Sequence, residues 1–562
     1  NSRFGYGTSQ NGDLYRYDKI SGYYQSISPQ PIHTKTPLRF NWNSGFSKDP
    51  FNPKGVYYGS QYVHKSQDKG RNWEIISPDL TTNNPEYQKA DYGGLTLDVS
   101  GAENYTSILS IAPSTLNQNI VWVGTDDGQI QLTKDGGSTW KNLTTKVKGL
   151  PEESWIARIH ASRFYEGTAW AVVNNYRKGD YAPYLFKTSD YGEHWTSMVS
   201  EKDVKGYTLS FIQDPKEKRL LFLGTENGLW VSINEGQDWV QVKNGFPSVS
   251  TMDLKIQEKE SALVIGTFGR AIWILDDLLS LRDIITKNSE QKLIPLSLNK
   301  VVQVKGLFIA PPGNIWTGFH TTFEGKNRVF QKVQIPFFLN DKPTALDSVT
   351  AVIQNSKMQT INTVVEKNLK KGLNYITWKL DEKTTTLPGS WINEESRGIP
   401  VLPGKYKAEI KYQDQTKTTS IEVVADPRFE IEDEVDQALY TFQKQVDNQV
   451  KTLTFLLGEL DGFEQKIKDS SSSKKSKLKN KGLLTELKSI QLMGRDKAVD
   501  RQVGAWQSNK ITAHALMRRA VKVSKARLAI PSDHDRKLLK QAEQLIDIFE
   551  EEVKRFRSKW KL

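Results

Sequence analysis

The chain is 562 residues long, with 37% apolar and 25% charged residues, and no run approaches the roughly 20 apolar residues of a membrane-spanning helix. That length allows about three to five domains, and 15 Trp, 21 Tyr and 22 Phe are too many for a disordered chain. Cysteine is absent, which excludes disulfides, thiolate metal ligands and cysteine nucleophiles, and the net charge of +12 is concentrated in one stretch, Lys466 to Ala529, with 17 Lys/Arg against four acids.

Residue 1 is Asn and no charged-then-apolar leader follows it, so the sequence reads as starting inside a processed or partial chain. Over residues 1–280 one pattern recurs four times. It appears as Ser66-x-Asp68-x-Gly70-x-x-Trp73, Thr133-x-Asp135-x-Gly137-x-x-Trp140, Thr188-x-Asp190-x-Gly192-x-x-Trp195 and Ser232-x-Asn234-x-Gly236-x-x-Trp239. The Trp positions lie 67, 55 and 44 residues apart, a range that suits a four-stranded unit with variable loops and hence a propeller or array. Each copy reads as a hairpin turn. The hydroxyl and carboxylate accept backbone N–H bonds, the Gly supplies positive φ, and the Trp packs back on its own sheet.

A second element accompanies the turns: Gly7-Thr8, Gly59-Ser60, Gly124-Thr125, Gly224-Thr225 and Gly266-Thr267 close strand-like runs such as Val121-Trp-Val-Gly-Thr125. Upstream come short alternating strands ending near proline, Ser107–Pro113 and Leu209–Pro215. About six units fit before residue 280, the first cut short because Tyr6-Gly7-Thr8 already sits mid-unit.

Residues 281–300 read as a linker with room for a short helix. Residues 301–426 then alternate as strands, including Val329–Ile335 and Tyr406–Tyr412, with turn signals at Pro311–Gly313 and Pro403-Gly404. That is the pattern of an immunoglobulin-like or fibronectin-like sandwich. From 427 to 562 the period becomes helical. Val435, Leu439, Phe442, Val446, Val450, Leu453, Leu457 and Leu460 form one stripe, and Ser470–Gly482 reads as a polar, flexible loop. Helices are expected over Leu483–Met493 and Val503–Ala529. A last one starts after a capping-box-like Ser532/Asp535 pair and carries Leu538, Ala542, Leu545, Phe549, Val553, Phe556 and Trp560. Together these make a helical bundle or hairpin.

The repeat turns resemble Asp-boxes, also called BNR repeats. The run from Pro37-Leu-Arg-Phe-Asn-Trp42 through Trp122–Gly128 to Leu263–Asp277 is similar to a bacterial sortilin-like family often labelled glycosyl hydrolase-like. Gly372–Trp378, Val401–Tyr406 and Asp426-Pro-Arg428 resemble that family's following β-sandwich and its hinge to a helical tail. The resemblance implies a mainly β chain: an N-terminally incomplete Asp-box β-propeller, an Ig/FN3-like sandwich and an α-helical tail. It also implies export to the periplasm or cell surface of a bacterium, and turns on the outer rim of the blades, away from a central pocket.

Turn residues specify fold: an amide at Asn234 keeps the acceptor role of the other boxes but could not act as acid or base. Asp126, Asp127 and Glu226 are the candidates for a catalytic carboxylate pair in glycoside hydrolysis; Asp-Asp-Gly and Glu-Asn-Gly also read as ordinary hairpin turns. A sialidase would need clustered arginines. Arg39, Arg158 and Arg163 are available, but the Arg-Ile-Pro signature is absent. Seven scattered histidines show no metal spacing, and no nucleophile elbow or phosphate loop occurs. No cofactor or metal is therefore expected.

Tyr57, Tyr58, Tyr181, Tyr184, Trp155 and Trp170 fall near expected loops or strand ends, where aromatic rings bind sugars or anchor partners. The Tyr-rich stretch Asn174–Tyr184 is the expected contact loop, carried by Tyr176, Tyr181 and Tyr184. The expected function is a non-catalytic interaction or scaffold component of the bacterial envelope. Its partners are other proteins, including outer-membrane or secretion-associated ones; the alternative is a glycoside hydrolase or polysaccharide binder using the propeller cleft. Nucleic acid is not an expected partner, and the chain is not itself transmembrane.

Overall fold

The computed structural model describes residues 3–31, 36–89, 104–243, 245–287, 290–303, 333–387, 398–426, 433–469, 474–495, 511–525 and 529–560. The expected turn at Pro311–Gly313, the start of the Val329–Ile335 strand and the Pro427-Arg428 hinge lie outside them. The described residues form two compact units, one up to Thr286 and one from Lys287 onward.

Six consecutive antiparallel meander sheets build the first unit. The first has three strands, Phe4–Thr8, Leu14–Asp18 and Tyr24–Ser26. The second to fifth have four each, beginning at Phe46, Ile108, Trp155 and Thr208, and the sixth has three, Thr251–Gln257, Ala262–Thr267 and Ile272–Leu275. The first strands of neighbouring sheets bond to one another. Gly45 N donates to Ile108 O at 3.0 Å, Ile159 N to Ser110 Oγ at 2.8 Å and Ser210 Oγ to Thr251 O at 2.9 Å. That contact radiates the sheets from one axis, and the unit is a β-propeller.

The Gly-Thr element has a steric cause. A Cβ on Gly59 would lie 2.7 Å from Ile108 Cγ2, and one on Gly124 2.5 Å from Ile156 Cγ2. In each case the obstacle is the first strand of the next sheet. Opposite Gly124, Gly224 and Gly266 the first strands starting at Ile108, Thr208 and Thr251 carry a register shift, and the strand starting at Trp155 carries the same shift opposite Val172 and Val173, a repeated bulge.

The four repeat turns share one hydrogen-bond set. Ser66 Oγ donates to Asp68 Oδ1 at 2.9 Å and accepts from Gly70 N at 2.8 Å; Asp68 Oδ1 also accepts from Asn72 N at 2.9 Å. The same bonds recur around Thr133/Asp135/Gly137, Thr188/Asp190/Gly192 and Ser232/Asn234/Gly236. Each turn needs two successive residues at positive φ, Lys69 (67°) and Gly70 (81°) in the first.

The tryptophans do not simply pack on their own sheets, as expected. Trp73 Nε1 donates to Ile27 O at 2.7 Å, Trp140 Nε1 to Ile76 O at 2.9 Å and Trp239 Nε1 to Met198 O at 3.2 Å, all at the end of the preceding sheet. Only Trp195 bonds within its own turn, to Gly192 O at 3.1 Å. The turn is thus a clip between neighbours, because its glycine leaves room for that segment: a Cβ on Gly137 would meet Ile76 O at 2.5 Å. Thr133→Val removes the buried acceptor of Gly137 N, and should cost about 1–3 kcal/mol in urea unfolding.

The stretch read as a linker with room for a short helix, 281–300, holds such a helix at its start, and the boundary between the two units falls after it, at Thr286. Helix α1 (Leu278–Thr286) buries Leu278 and Ile285 against Phe222, Leu254 and Leu263 of the last two sheets, and Leu293–Pro295 is a strand of the second unit. Arg282, 7% exposed, ties α1 down: its guanidinium pairs with the fully buried Asp214 at 2.7 Å and donates to Ser261 Oγ at 2.9 Å.

In the second unit a three-stranded sheet (Leu293–Pro295, Val333–Leu339, Gly372–Trp378) faces a five-stranded one. The latter is built from Val301–Gln303, Val349–Gln354, Thr360–Glu366, Gly404–Tyr412 and Gln415–Ala425. Ile335, Phe337, Ile376 and Trp378 of one sheet share a core with Ala351, Ile353, Ile410 and Ile421 of the other, which is a β-sandwich.

Beyond it lie α2 (Asp433–Asp469), α3 (Lys474–Gly494), α4 (Ala513–Val523) and α5 (Asp533–Trp560). Helix α3 overturns the expected loop at 470–482 from Lys474 on: lysine and leucine are good helix formers, and Asn480 Nδ2 anchors the new turn on Ile467 O at 2.9 Å. Helix α4 is shorter than expected; 503–510 lies outside the described residues. Gln449–Glu543 and Arg557–Glu459 contacts show α2 and α5 running parallel, with α3 and α4 returning antiparallel beside them. Ser532 and Asp535 cap α5 reciprocally, at 2.9 and 3.2 Å. Its buried stripe uses Leu539 and Ile546 where Leu538 and Leu545 were expected, and those two are half-buried. Helix α2 meets the sandwich at Glu382, which accepts from Tyr440 and pairs with Lys444 at 2.8 Å. No helix among the described residues is long and apolar enough to cross a membrane.

Candidate functional site

The hairpins between the second and third strands of the propeller sheets carry the three candidate carboxylates and part of the tyrosine-rich stretch. Asp126 and Asp127 occupy that hairpin in the third sheet, Tyr176 to Tyr181 in the fourth and Glu226 in the fifth. Connections entering the first strands reach the same end. Tyr105, Trp155 and Tyr207 sit there, and Tyr176 stacks on Tyr207 with centroids 4.4 Å apart.

Asp126 and Asp127 are buried, at 0% and 1% exposure, and their oxygens are taken up by the fold. Asp126 accepts from Ser107 N at 2.7 Å, Ser107 Oγ at 2.8 Å and Asn41 Nδ2 at 2.8 Å. Asp127 accepts from Thr82 N at 2.7 Å, Thr82 Oγ1 at 2.6 Å and Thr125 Oγ1. The pair therefore pins the inter-sheet segments around Asn41 and Thr82 to the third sheet. Glu226 is half-buried beside Tyr207, two sheets away, with its backbone N bonded to Tyr207 O at 3.1 Å.

Burial raises the Asp126 carboxyl to about 7 against the donors that favour its ionised form. A carboxyl raised on folding binds its proton more tightly in the native state, so stability is highest below pH 4 as far as this group is concerned and falls as pH rises from about 4 to 7. At roughly 1.4 kcal/mol per unit, that slope amounts to about 2–4 kcal/mol. Asp126→Asn should flatten it, as read from urea midpoints between pH 4.5 and 8.

The rim carboxylates behave oppositely. Asp68, Asp135 and Asp190 are each lowered to about 2, chiefly by the Asn72 N–H, the Thr139 hydroxyl and the His194 N–H respectively, so they are ionised turn acceptors at neutral pH.

The three arginines considered for a carboxylate clamp are not gathered. Arg39 pairs with Asp79 at 2.6 Å and bonds Thr106 O, Arg158 reaches Asp253 at 2.5 Å, and Arg163 pairs with Glu258. Tyr57, Tyr58 and Trp170 are not loop aromatics: all three lie in strands at 2% exposure or less, because these strands are covered on both faces, Tyr57 and Tyr58 entering two different cores.

What does gather is a group around a residue the sequence did not single out, Arg177. The Arg177 guanidinium lies 3.3 Å from the Trp155 ring centroid and 4.4 Å from that of Tyr176. Tyr181, 58% exposed, leans on Tyr207 at 6.2 Å, and Tyr87 meets Tyr105 edge-on at 5.3 Å. The Tyr105 hydroxyl is pushed up by burial and then by the charges of Asp126 and Asp127, and down by Arg177. The stretch at Asn174–Tyr184 does not interrupt its sheet: a short 3-10 turn at Tyr176–Lys178 extends the hairpin, and Tyr184 turns inward to donate to Asp180 Oδ2 at 2.9 Å. Of the expected contact residues, Tyr176 and Tyr181 thus belong to the exposed aromatic group. Only the order Tyr-Arg-Lys-Gly hinted at Arg177, since Trp155 and Tyr207 are more than 20 residues away.

No family model matches the chain, and no curated protein matches it in sequence. Among solved structures it is similar to a GH74 enzyme of Niastella koreensis (14% identity, 48% of this chain and 50% of that one, TM-score 0.23). It is likewise similar to an ancestral GH74 enzyme (14%, 69% and 45%, 0.32) and to YCF48 bound to a D1 peptide (13%, 48% and 78%, 0.30). The chain spans about half the length of the two GH74 structures. At these identities the likeness is one of fold alone.

Proposed function

We propose that this chain is a non-catalytic interaction protein of the bacterial cell envelope, of the sortilin-like Asp-box type, working in the periplasm or at the cell surface as a subunit of a larger complex. One observation carries the reading: the propeller face offers arginine, tryptophan and tyrosine to solvent, while Asp126 and Asp127 are sealed in internal hydrogen bonds. Tyr, Trp and Arg dominate the binding energy of protein interfaces. Glycoside hydrolysis needs two carboxyl groups at a substrate's flanks, and a pair at 0% and 1% exposure whose oxygens accept internal hydrogen bonds is not placed to serve there. The helical bundle supplies further surface for partners.

The test is gentle purification of the tagged native protein from envelope membranes, with mass spectrometry of co-purifying chains. A stoichiometric membrane or secretion-associated partner supports the proposal; a protein that purifies alone under the same conditions overturns it.

A further inference from the structure

Arg177 is held as if for a ligand. Trp155 and Tyr176 flank its guanidinium, and its one protein hydrogen bond among the described residues is a long one, Nη1 to Asn174 Oδ1 at 3.4 Å. Asn174 is itself fixed, 3% exposed and donating to Thr208 O at 3.2 Å. No described carboxylate forms an ion pair with Arg177. The acids near it are committed elsewhere: Asp126 to Asn41 and Ser107, Asp180 to Asn175 and Tyr184, and Glu153 to Lys178 at 2.6 Å. By contrast Arg39, Arg158 and Arg163 in the same unit all have carboxylate partners.

A planar guanidinium that lies over a ring keeps its in-plane N–H fork open, and that fork matches a carboxylate in two-point geometry. The rings around it include exposed Tyr181 and half-buried Tyr207, a surface suited to an apolar or aromatic side chain beside the acid. We infer that Arg177 is the anchor for an Asp or Glu side chain of an extended partner segment, with the neighbouring partner residue seated on Tyr181 and Tyr207. This rests on the reading of the propeller as a protein-binding module and names what that module recognises.

The probe is a phage-displayed library of random dodecapeptides selected on the immobilised full chain, with enriched sequences then measured as fluorescein-labelled peptides. The expected peptides carry Asp or Glu within two residues of an aromatic or aliphatic residue. Their Kd should rise at least tenfold in Arg177→Gln, and equally when the acid becomes its amide. Arg177→Lys should not restore binding, since an ammonium neither stacks nor forks. Tyr181→Ser, at an exposed position that cannot unfold the sheet, should weaken binding at least threefold.

Failure to enrich peptides, enrichment of sequences without an acid, or binding indifferent to Arg177→Gln would overturn the inference. So would tighter, Arg177-dependent binding of fluorescein-labelled oligogalacturonate, which would make the ligand an acidic glycan. A co-purifying partner that cross-links away from Tyr176–Tyr181 leaves the proposed function standing and removes this inference alone.

Discussion

Gly224→Ala is expected to destabilise the propeller by about 3 kcal/mol or more, near the top of the range for overpacked cores. Its Cβ would be driven against Ser210 Oγ and the Thr251 carbonyl oxygen, and would lie 2.7 Å from Thr251 Cγ2. Two of these neighbours belong to the first strand of the next sheet, and one is backbone, so neither sheet can give way without breaking the contact that sets their spacing. Gly266→Ala provides the control. The same Gly-Thr element recurs there, but the nearest atoms to its Cβ are 3.7 Å away, and the variant should unfold within about 0.5 kcal/mol of wild type. Urea titrations of the two variants, followed by tryptophan fluorescence, check the pair. Equal midpoints would mean that the glycines serve the local turn and not the packing of sheet on sheet.

Arg282→Met should be nearly as costly, about 3–5 kcal/mol, because it strips the partner from a carboxylate that is fully buried. Asp214 would keep its bonds from Lys216 N and Glu217 N, both at 2.8 Å, but lose a guanidinium bound through both Nε and Nη2. Amide exchange should show α1 and the third strand of the sixth sheet opening before the rest of the unit. The double variant Arg282→Met/Asp214→Leu should recover a large part of the loss, since replacing both charges removes the buried orphan. No recovery would mean that the loss comes from the missing Arg282 contacts, or from the Lys216 and Glu217 N–H groups that Asp214 satisfies, and not from an orphaned carboxylate.

The propeller was legible because its repeat is chemical as well as periodic: a hydroxyl, a carboxylate or amide, a glycine and a tryptophan at fixed offsets are what one turn geometry requires. The direction of the tryptophan was not legible. A turn motif describes bonds within four or five residues, whereas Trp73 bonds to Ile27, 46 residues earlier. That the short helix α1 docks on the propeller was hidden for a similar reason. Nine residues are too few for a clear stripe, and its anchor Asp214 lies 68 positions away. The lysine-rich start of α3 was obscured by composition, since lysines and serines read as a solvated loop whether or not a neighbouring helix supports them.

The site divides in the same way. Asp126 and Asp127 drew attention as paired carboxylates, and sequence alone could not show that Asn41, Thr82 and Ser107 return to satisfy them. Tyr176 and Tyr181 were visible as a tyrosine-rich stretch. Arg177 between them was not, because its significance comes from Trp155 beneath it and from the absence of a paired acid among the described residues.

In the proposed function the propeller's buried carboxylates belong to the fold and its arginine–tyrosine face to a partner. The most direct test is one co-purification from envelope membranes run in parallel on four forms of the full chain: wild type, Asp127→Asn, Glu226→Gln and Arg177→Gln. The same stoichiometric partner is expected with the first three, and its loss with Arg177→Gln. Retention of the partner by Arg177→Gln, or a glycan-cleaving activity of the wild type that vanishes in Asp127→Asn or Glu226→Gln while the fold persists, would contradict it.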